Sequence, residues 1–146
     1  MDIRYFEAMQ DVGKQYAHQL EPVCRQWKVT GNELAVLLFL ANNPGYDRAA
    51  DIVERRGMTK SHVSLSVGTL EHRGLLRRRR EQRDHRQIHL ELTEAGWEIA
   101  RCGQGAQKQF FSAVFQGITR QELENWYGIL QRMWENMQDM KADKER

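Results

Sequence analysis

Apolar residues recur at Tyr5, Phe6, Met9, Val12, Tyr16, Leu20 and Val23, spaced by one, three or four, which is the single stripe of an amphipathic helix. Pro22 lies inside that stripe and lacks an N–H, so it is expected to kink or restart the helix. Thr30-Gly31-Asn32-Glu33 has the form of a capping box, the Thr30 hydroxyl facing inward and Glu33 reaching back. The run LAVLLFLA behind it is apolar nearly all round and predicts a buried helix, ended by Asn42-Asn43-Pro44-Gly45. Asp47 is predicted to cap a short helix carrying Ala50, Ile52 and Val53, with Gly57 as its stop. Thr59 caps the next helix, whose inward positions are Val63, Val67 and Leu70, and Arg73-Gly74 closes it.

The period changes after Gly74. Leu75 to Glu81 and Gln87 to Leu92 read as strands, with Ile88, Leu90 and Leu92 alternating, around a polar tip from Gln82 to Arg86. Thr93-Glu94-Ala95-Gly96 opens a long helix to about Phe115. Thr119-Arg120-Gln121-Glu122 is a second capping box. It starts a final helix striped with Leu123, Trp126, Tyr127, Leu130, Met133, Trp134, Met137 and Met140, and Lys141 to Arg146 reads as a frayed tail. The fold class expected is mainly α with a small β-hairpin wing. A winged helix-turn-helix over residues 29–92 is flanked by amphipathic helices, 1–28 and 93–146, that lack a core of their own. All of it reads as one domain, 1–146.

Composition narrows the chemistry. Of 146 residues, 40 % are hydrophobic and 29 % charged, and the net charge is only +2, so any strong basicity is local. Two cysteines, Cys24 and Cys102, are too few for a disulfide framework. The start MDIRYFEAMQDVG has no apolar segment of signal-peptide length, and no run approaches the ~20 apolar residues that span a bilayer. A cytoplasmic protein with no membrane partner is expected.

The local basicity is concentrated. Seven arginines fall between Arg73 and Arg86, against only Glu81 and Asp84. Like charges crowded on a hairpin repel one another, so a polyanion is the natural partner. Most charge runs are solvated surface, but this one follows directly on a helix-turn-helix pattern. The second helix of that motif enters the major groove, and its leading and outward residues are Lys60, Ser61, His62, Ser64, Leu65 and Thr69. Ser61 and Ser64 also suit ordinary helix-start chemistry, and His62 a plain exposed histidine. At the tip, Arg83 and Arg86 flank Asp84, an acid able to hold an arginine in a fixed pose for a minor groove. Strand alternation puts Arg78 and Arg80 on one face and Arg77 and Arg79 on the other, and leaves open which pair meets DNA.

Thr59 to Leu76, the Asp84-His85-Arg86 tip and Leu92-Thr93-Glu94-Ala95-Gly96 together resemble the MarR family of bacterial transcriptional regulators. The shared pattern is a recognition helix ending in L-E-x-R-G-L, an Arg-rich strand, D-x-R at the wing tip and L-T-x-x-G opening the next helix. The resemblance implies a homodimer whose terminal helices interlock and whose winged helices read the halves of a pseudo-palindromic operator, more often as a repressor. It carries DNA binding onto Lys60, Ser61, His62 and Ser64 of the recognition helix and Arg83 and Arg86 of the wing, with Asp84 orienting the tip. Arg78 and Arg80 complete the expected DNA-binding set. Leu65 and Thr69 stand where many relatives have arginine, which shifts the load towards the wing and phosphate contacts.

The dimer has its own argument. Tyr5, Trp126, Tyr127 and Trp134, with Met133, Met137 and Met140, are hard to bury within one subunit. The family's response to small aromatic effectors makes Tyr16, Trp27, Phe39 and Trp97 candidate wall residues, though each also suits plain core. Redox-sensing relatives carry their cysteine earlier in the first helix than Cys24. Cys102 beside Arg101 has no clear thiolate setting, so both read as structural. His72, His85 and His89 come without a ligand cluster, so no metal and no cofactor is expected. No phosphate loop, nucleophile elbow or paired carboxylates argue for an enzyme. The alternatives are a winged-helix adaptor for a protein partner, which would need no arginine cluster at the tip, and a redox- or metal-sensing regulator of the same fold.

Overall fold

A computed structural model describes residues 2–144. Of the tail from Lys141, residues 145–146 lie outside the described residues. The elements in chain order are α1 (Ile3–Trp27), α2 (Gly31–Asn42), α3 (Ala49–Arg56), α4 (Lys60–His72), β1 (Leu76–Arg80), β2 (Ile88–Leu92), α5 (Glu94–Val114) and α6 (Arg120–Lys144). The protein is therefore mainly helical with one two-stranded sheet, as the hydrophobic periodicity predicts. The chain forms two compact units, Met1–Phe111 and Ser112–Arg146.

In the first unit α2 is the central element. Leu34, Val36 and Leu37 are fully buried, and Ile52, Val63, Leu70, Leu76 and Ile99 close around them from neighbouring elements. The Thr30 capping box forms as expected: the Glu33 amide donates to Thr30 Oγ1 at 3.1 Å and the Thr30 amide to Glu33 Oε2 at 3.0 Å. Buried Glu33 is also approached by Arg73, whose guanidinium donates to the Lys28 and Trp27 carbonyls at 2.7 and 2.9 Å. These carbonyls end α1, where Lys28 turns left-handed. Arg73 therefore fastens the end of α4 to the end of α1.

Two expectations are corrected. Pro22 does not restart the first helix; α1 runs unbroken for 25 residues. Proline removes one backbone bond, that to the His18 carbonyl, and His18 is exposed, where water can serve that oxygen. Asp47 is not the cap of α3, which is Arg48, with the Arg48 amide donating to Asp51 at 3.1 Å. Asp47 is drawn instead to the hairpin: its carbonyl accepts the Leu90 amide at 2.7 Å and its carboxylate lies against His89.

The hairpin is antiparallel, with Leu76 opposite Leu92, Arg78 opposite Leu90 and Arg80 opposite Ile88. Leu76 and Leu90 anchor it in the core. Gly74, at φ 70°, makes the left-handed turn into β1. Thr93 closes the other end, donating to the Gly74 carbonyl at 2.6 Å and accepting the Gly96 amide at the start of α5.

In the second unit Thr119 and Glu122 form their capping box, and both Thr119 groups hold the Glu122 carboxyl below the usual glutamate range. Phe115 meets Trp126 with the rings tilted and their centroids 5.7 Å apart. The apolar stripe of α6 stays exposed in the single chain: Tyr127, Met133, Trp134, Met137 and Met140 are 46–62 % accessible.

Candidate nucleic-acid interface

The interface begins with Thr59, whose hydroxyl accepts the His62 amide at 3.2 Å and fixes the start of α4. Val63, Ser66, Val67 and Leu70 turn inward, so Lys60, Ser61, His62 and Ser64 face solvent on the leading turns. Leu65 stands 71 % exposed between them, an unusual place for a leucine. The free amides of the first turn add partial positive charge in the same direction.

Carboxylates sort the hairpin arginines. Arg77 and Arg79 both donate to Glu91, at 3.0 and 2.6 Å, and the two guanidiniums hold its carboxyl below the usual glutamate range. On the other face Arg78 pairs with Glu71 of α4 at 2.9 Å. Arg78 also lines a crevice of about 570 Å³ with Lys60 and Ser64, so the hairpin and α4 present these three residues together. Among the described residues Lys60, Arg80, Arg83 and Arg86 are paired with no carboxylate. Their charge is uncompensated by any ion pair among the described residues.

Asp84 works differently from the expectation. It holds no arginine side chain; Asp84 Oδ1 accepts the Arg86 backbone amide at 3.0 Å, and its carbonyl accepts the Gln87 amide at 3.0 Å. A short acid two residues before an amide closes a local turn more readily than it reaches a long side chain. The tip backbone is ordered while both arginine side chains stay available.

A second feature lies among α1, α2 and α5 of the first unit. A cavity of about 870 Å³ is lined by Tyr16 and Phe39, two of the four expected wall residues. Trp27 and Trp97 are not on its wall. Trp27 packs against the core, where its Nε1 is buried without a partner among the described residues, and Trp97 sits half-buried at the start of α5. For these two the alternative of plain packing, which the sequence reading also held open, matches their placement. The wall also holds Arg56, Met58, Phe110 and Phe111.

An amide relay runs along the wall. Gln104 donates to Asn42 at 2.9 Å, Asn42 to Gln107 at 3.0 Å, and Gln107 to the Tyr16 hydroxyl at 2.7 Å. That oxygen accepts, so its own proton is free to donate. Nothing in the sequence marked these amides, because they meet across 62 to 91 residues. Cys24 also lines the cavity, and burial pushes its thiol up, away from the reactive thiolate. Among the described residues no group of three or more His, Cys, Asp or Glu is placed to hold a metal ion. No helix among them is long and apolar enough to cross a membrane.

The family model described as MarR family matches residues 27–87. No curated protein matches the sequence at a significant level. Among solved structures the chain is similar to a MarR-family transcriptional regulator from Silicibacter pomeroyi, at 22 % identity and a TM-score of 0.76, over 88 % of this chain and 86 % of that one. It is similar to CouR from Rhodococcus jostii bound to p-coumaroyl-CoA, at 19 % identity and a TM-score of 0.74, over 90 % and 91 % of the two chains. A mutant of S. aureus MepR bound to an oligodeoxyribonucleotide matches at 19 % identity and a TM-score of 0.56, over 94 % and 99 %. At these identities the likeness shows a shared fold. The winged helix-turn-helix is the part of this chain that the MarR family model matches, over residues 27–87.

Proposed function

We propose that this protein is a homodimeric, ligand-responsive repressor that binds a pseudo-palindromic DNA operator. The observation that carries the reading is the sorting of charge on the wing. Arg77, Arg78 and Arg79 are engaged by the carboxylates of Glu91 and Glu71, while Arg80, Arg83, Arg86 and Lys60 have no such partner among the described residues. Uncompensated cations on an ordered tip beside an exposed recognition helix suit phosphates and a minor groove. Lys60, Ser61, His62 and Ser64 are the base- and phosphate-facing residues of the helix in this reading. MepR, similar in fold, was solved with an oligodeoxyribonucleotide.

The cavity is the effector site in this reading. Phe39, Phe110 and Phe111 accept a planar apolar body, and the free Tyr16 proton and Arg56 serve an oxygen acceptor. CouR, similar in fold, was solved with p-coumaroyl-CoA.

Fluorescence anisotropy with a duplex from the upstream region of the protein's own gene tests the DNA reading. Arg86→Ala is expected to weaken binding to specific and non-specific duplexes alike and to lower the log–log salt slope by about one. An unchanged slope in Arg86→Ala removes the wing from the interface. The same assay with 4-coumarate tests the effector, and Tyr16→Phe is expected to raise the concentration that releases DNA.

A further inference from the structure

The hairpin face that carries Arg77 and Arg79 also carries Glu81 of β1's end and His89 and Glu91 of β2. The loop before α3 brings Asp47 into the same group. His89 stands between two carboxylates: Nδ1 lies 2.7 Å from Asp47 Oδ1, and Nε2 lies 3.6 Å from Glu81 Oε2. Both arginines are engaged by Glu91, and among the described residues Asp47 and Glu81 have no other cation. With His89 neutral, this face holds three carboxylates and two guanidiniums. Protonation of His89 brings it to balance.

A neutral imidazole has one N–H, and the short contact to Asp47 uses it. Its other nitrogen then presents a lone pair to the Glu81 carboxylate, which repels it. The imidazolium has two N–H groups and serves both acids. Glu81 is the root of the wing tip, its amide donating to the Gln87 carbonyl at 3.2 Å in the last rung before Arg83 and Arg86. We infer that His89 is a positioning residue for the wing: when protonated it clamps Glu81 to the Asp47 loop and holds the tip arginines in their DNA-binding pose. The inference rests on the DNA-binding reading and adds a pH dependence to it.

The test uses a His62→Gln/His72→Gln/His85→Gln background, which removes the exposed histidines of α4 and the tip, and every comparison is made within it. Operator affinity there is expected to fall about threefold as pH rises from 6 to 8. Adding His89→Gln or Glu81→Gln is expected to flatten that dependence, the second variant leaving the Asp47 contact intact. Hydrogen exchange of the Glu81 amide in the DNA-free protein, corrected for intrinsic rates, gives a second readout. Protection is expected to rise as pH falls, and to lose that trend in both variants. A pH slope or protection trend that survives His89→Gln and Glu81→Gln overturns the inference. Absence of DNA binding by the unsubstituted protein at every pH overturns the DNA-binding reading instead, and the exchange experiment still decides whether His89 clamps the wing root.

Discussion

Gly96 sits where the wing's exit meets the first turn of α5, and a Cβ placed there would lie 1.9 Å from the Leu75 carbonyl oxygen. The backbones of β1's approach and α5 touch at this point, so only a residue without a side chain fits. Gly96→Ala must push α5 off the hairpin base and is expected to cost about 3 kcal/mol, read as a lowered Tm. Glu91 is a second residue with a measurable signature. Its carboxyl is held down by Arg79 and Arg77, so the hairpin ion pairs persist above the unfolded glutamate range and are lost only as pH falls through the lower folded value. A ¹³C titration of the Glu91 carboxyl is expected to show a midpoint below that of an ordinary glutamate, moving up in Arg79→Ala. That glutamate, between two arginines one strand away, is legible in the sequence only once the register is known.

Among the elements, the caps were legible because capping is local: Thr30, Thr59, Thr93 and Thr119 each receive the amide three residues on. The exceptions come from contacts outside the local window. Asp47 leaves the start of α3 because Leu90 and His89 offer it partners more than 40 residues away. Pro22 is tolerated because helix packing before and after it outweighs one lost bond. The exposed Leu65 gives α4 a prediction of its own. A solvent-facing leucine contributes little to stability, so Leu65→Ala is expected to shift stability by less than about 0.5 kcal/mol. On DNA, an apolar side chain on the groove-facing side suits a thymine methyl. Leu65→Ala is therefore expected to reduce discrimination at one A·T position of the operator, measured by competition with single-substitution duplexes.

At the scale of the molecule, the exposed stripes of α1 and α6 matter most. Phe6 and Met9 on α1 are 53 % and 61 % accessible, and Trp134 and Met140 on α6 are 59 % and 62 %. Such surface is costly to leave in water, and a second copy of the chain is the partner proposed for it. Trp134→Glu is expected to shift sedimentation towards the monomer and to lower operator affinity at least tenfold, because two half-sites are then no longer bound as one unit. The sequence showed this surface because amphipathic stripes without a local partner are visible as pattern. It did not show which aromatics line the cavity, since Tyr16 and Phe39 look no different in the chain from Trp27 and Trp97.

The clasp made by Arg73 has a mechanical consequence. One guanidinium grips the last carbonyls of α1 and belongs to the residue that caps the C-terminus of α4. A tilt of α1, whether driven by a guest beside Tyr16 or by rearrangement of a partner chain, must either drag α4 with it or break both bonds. The protein therefore carries a tie rod between the helix that borders the cavity and the helix that faces outward, and its stiffness sets how much movement at one reaches the other.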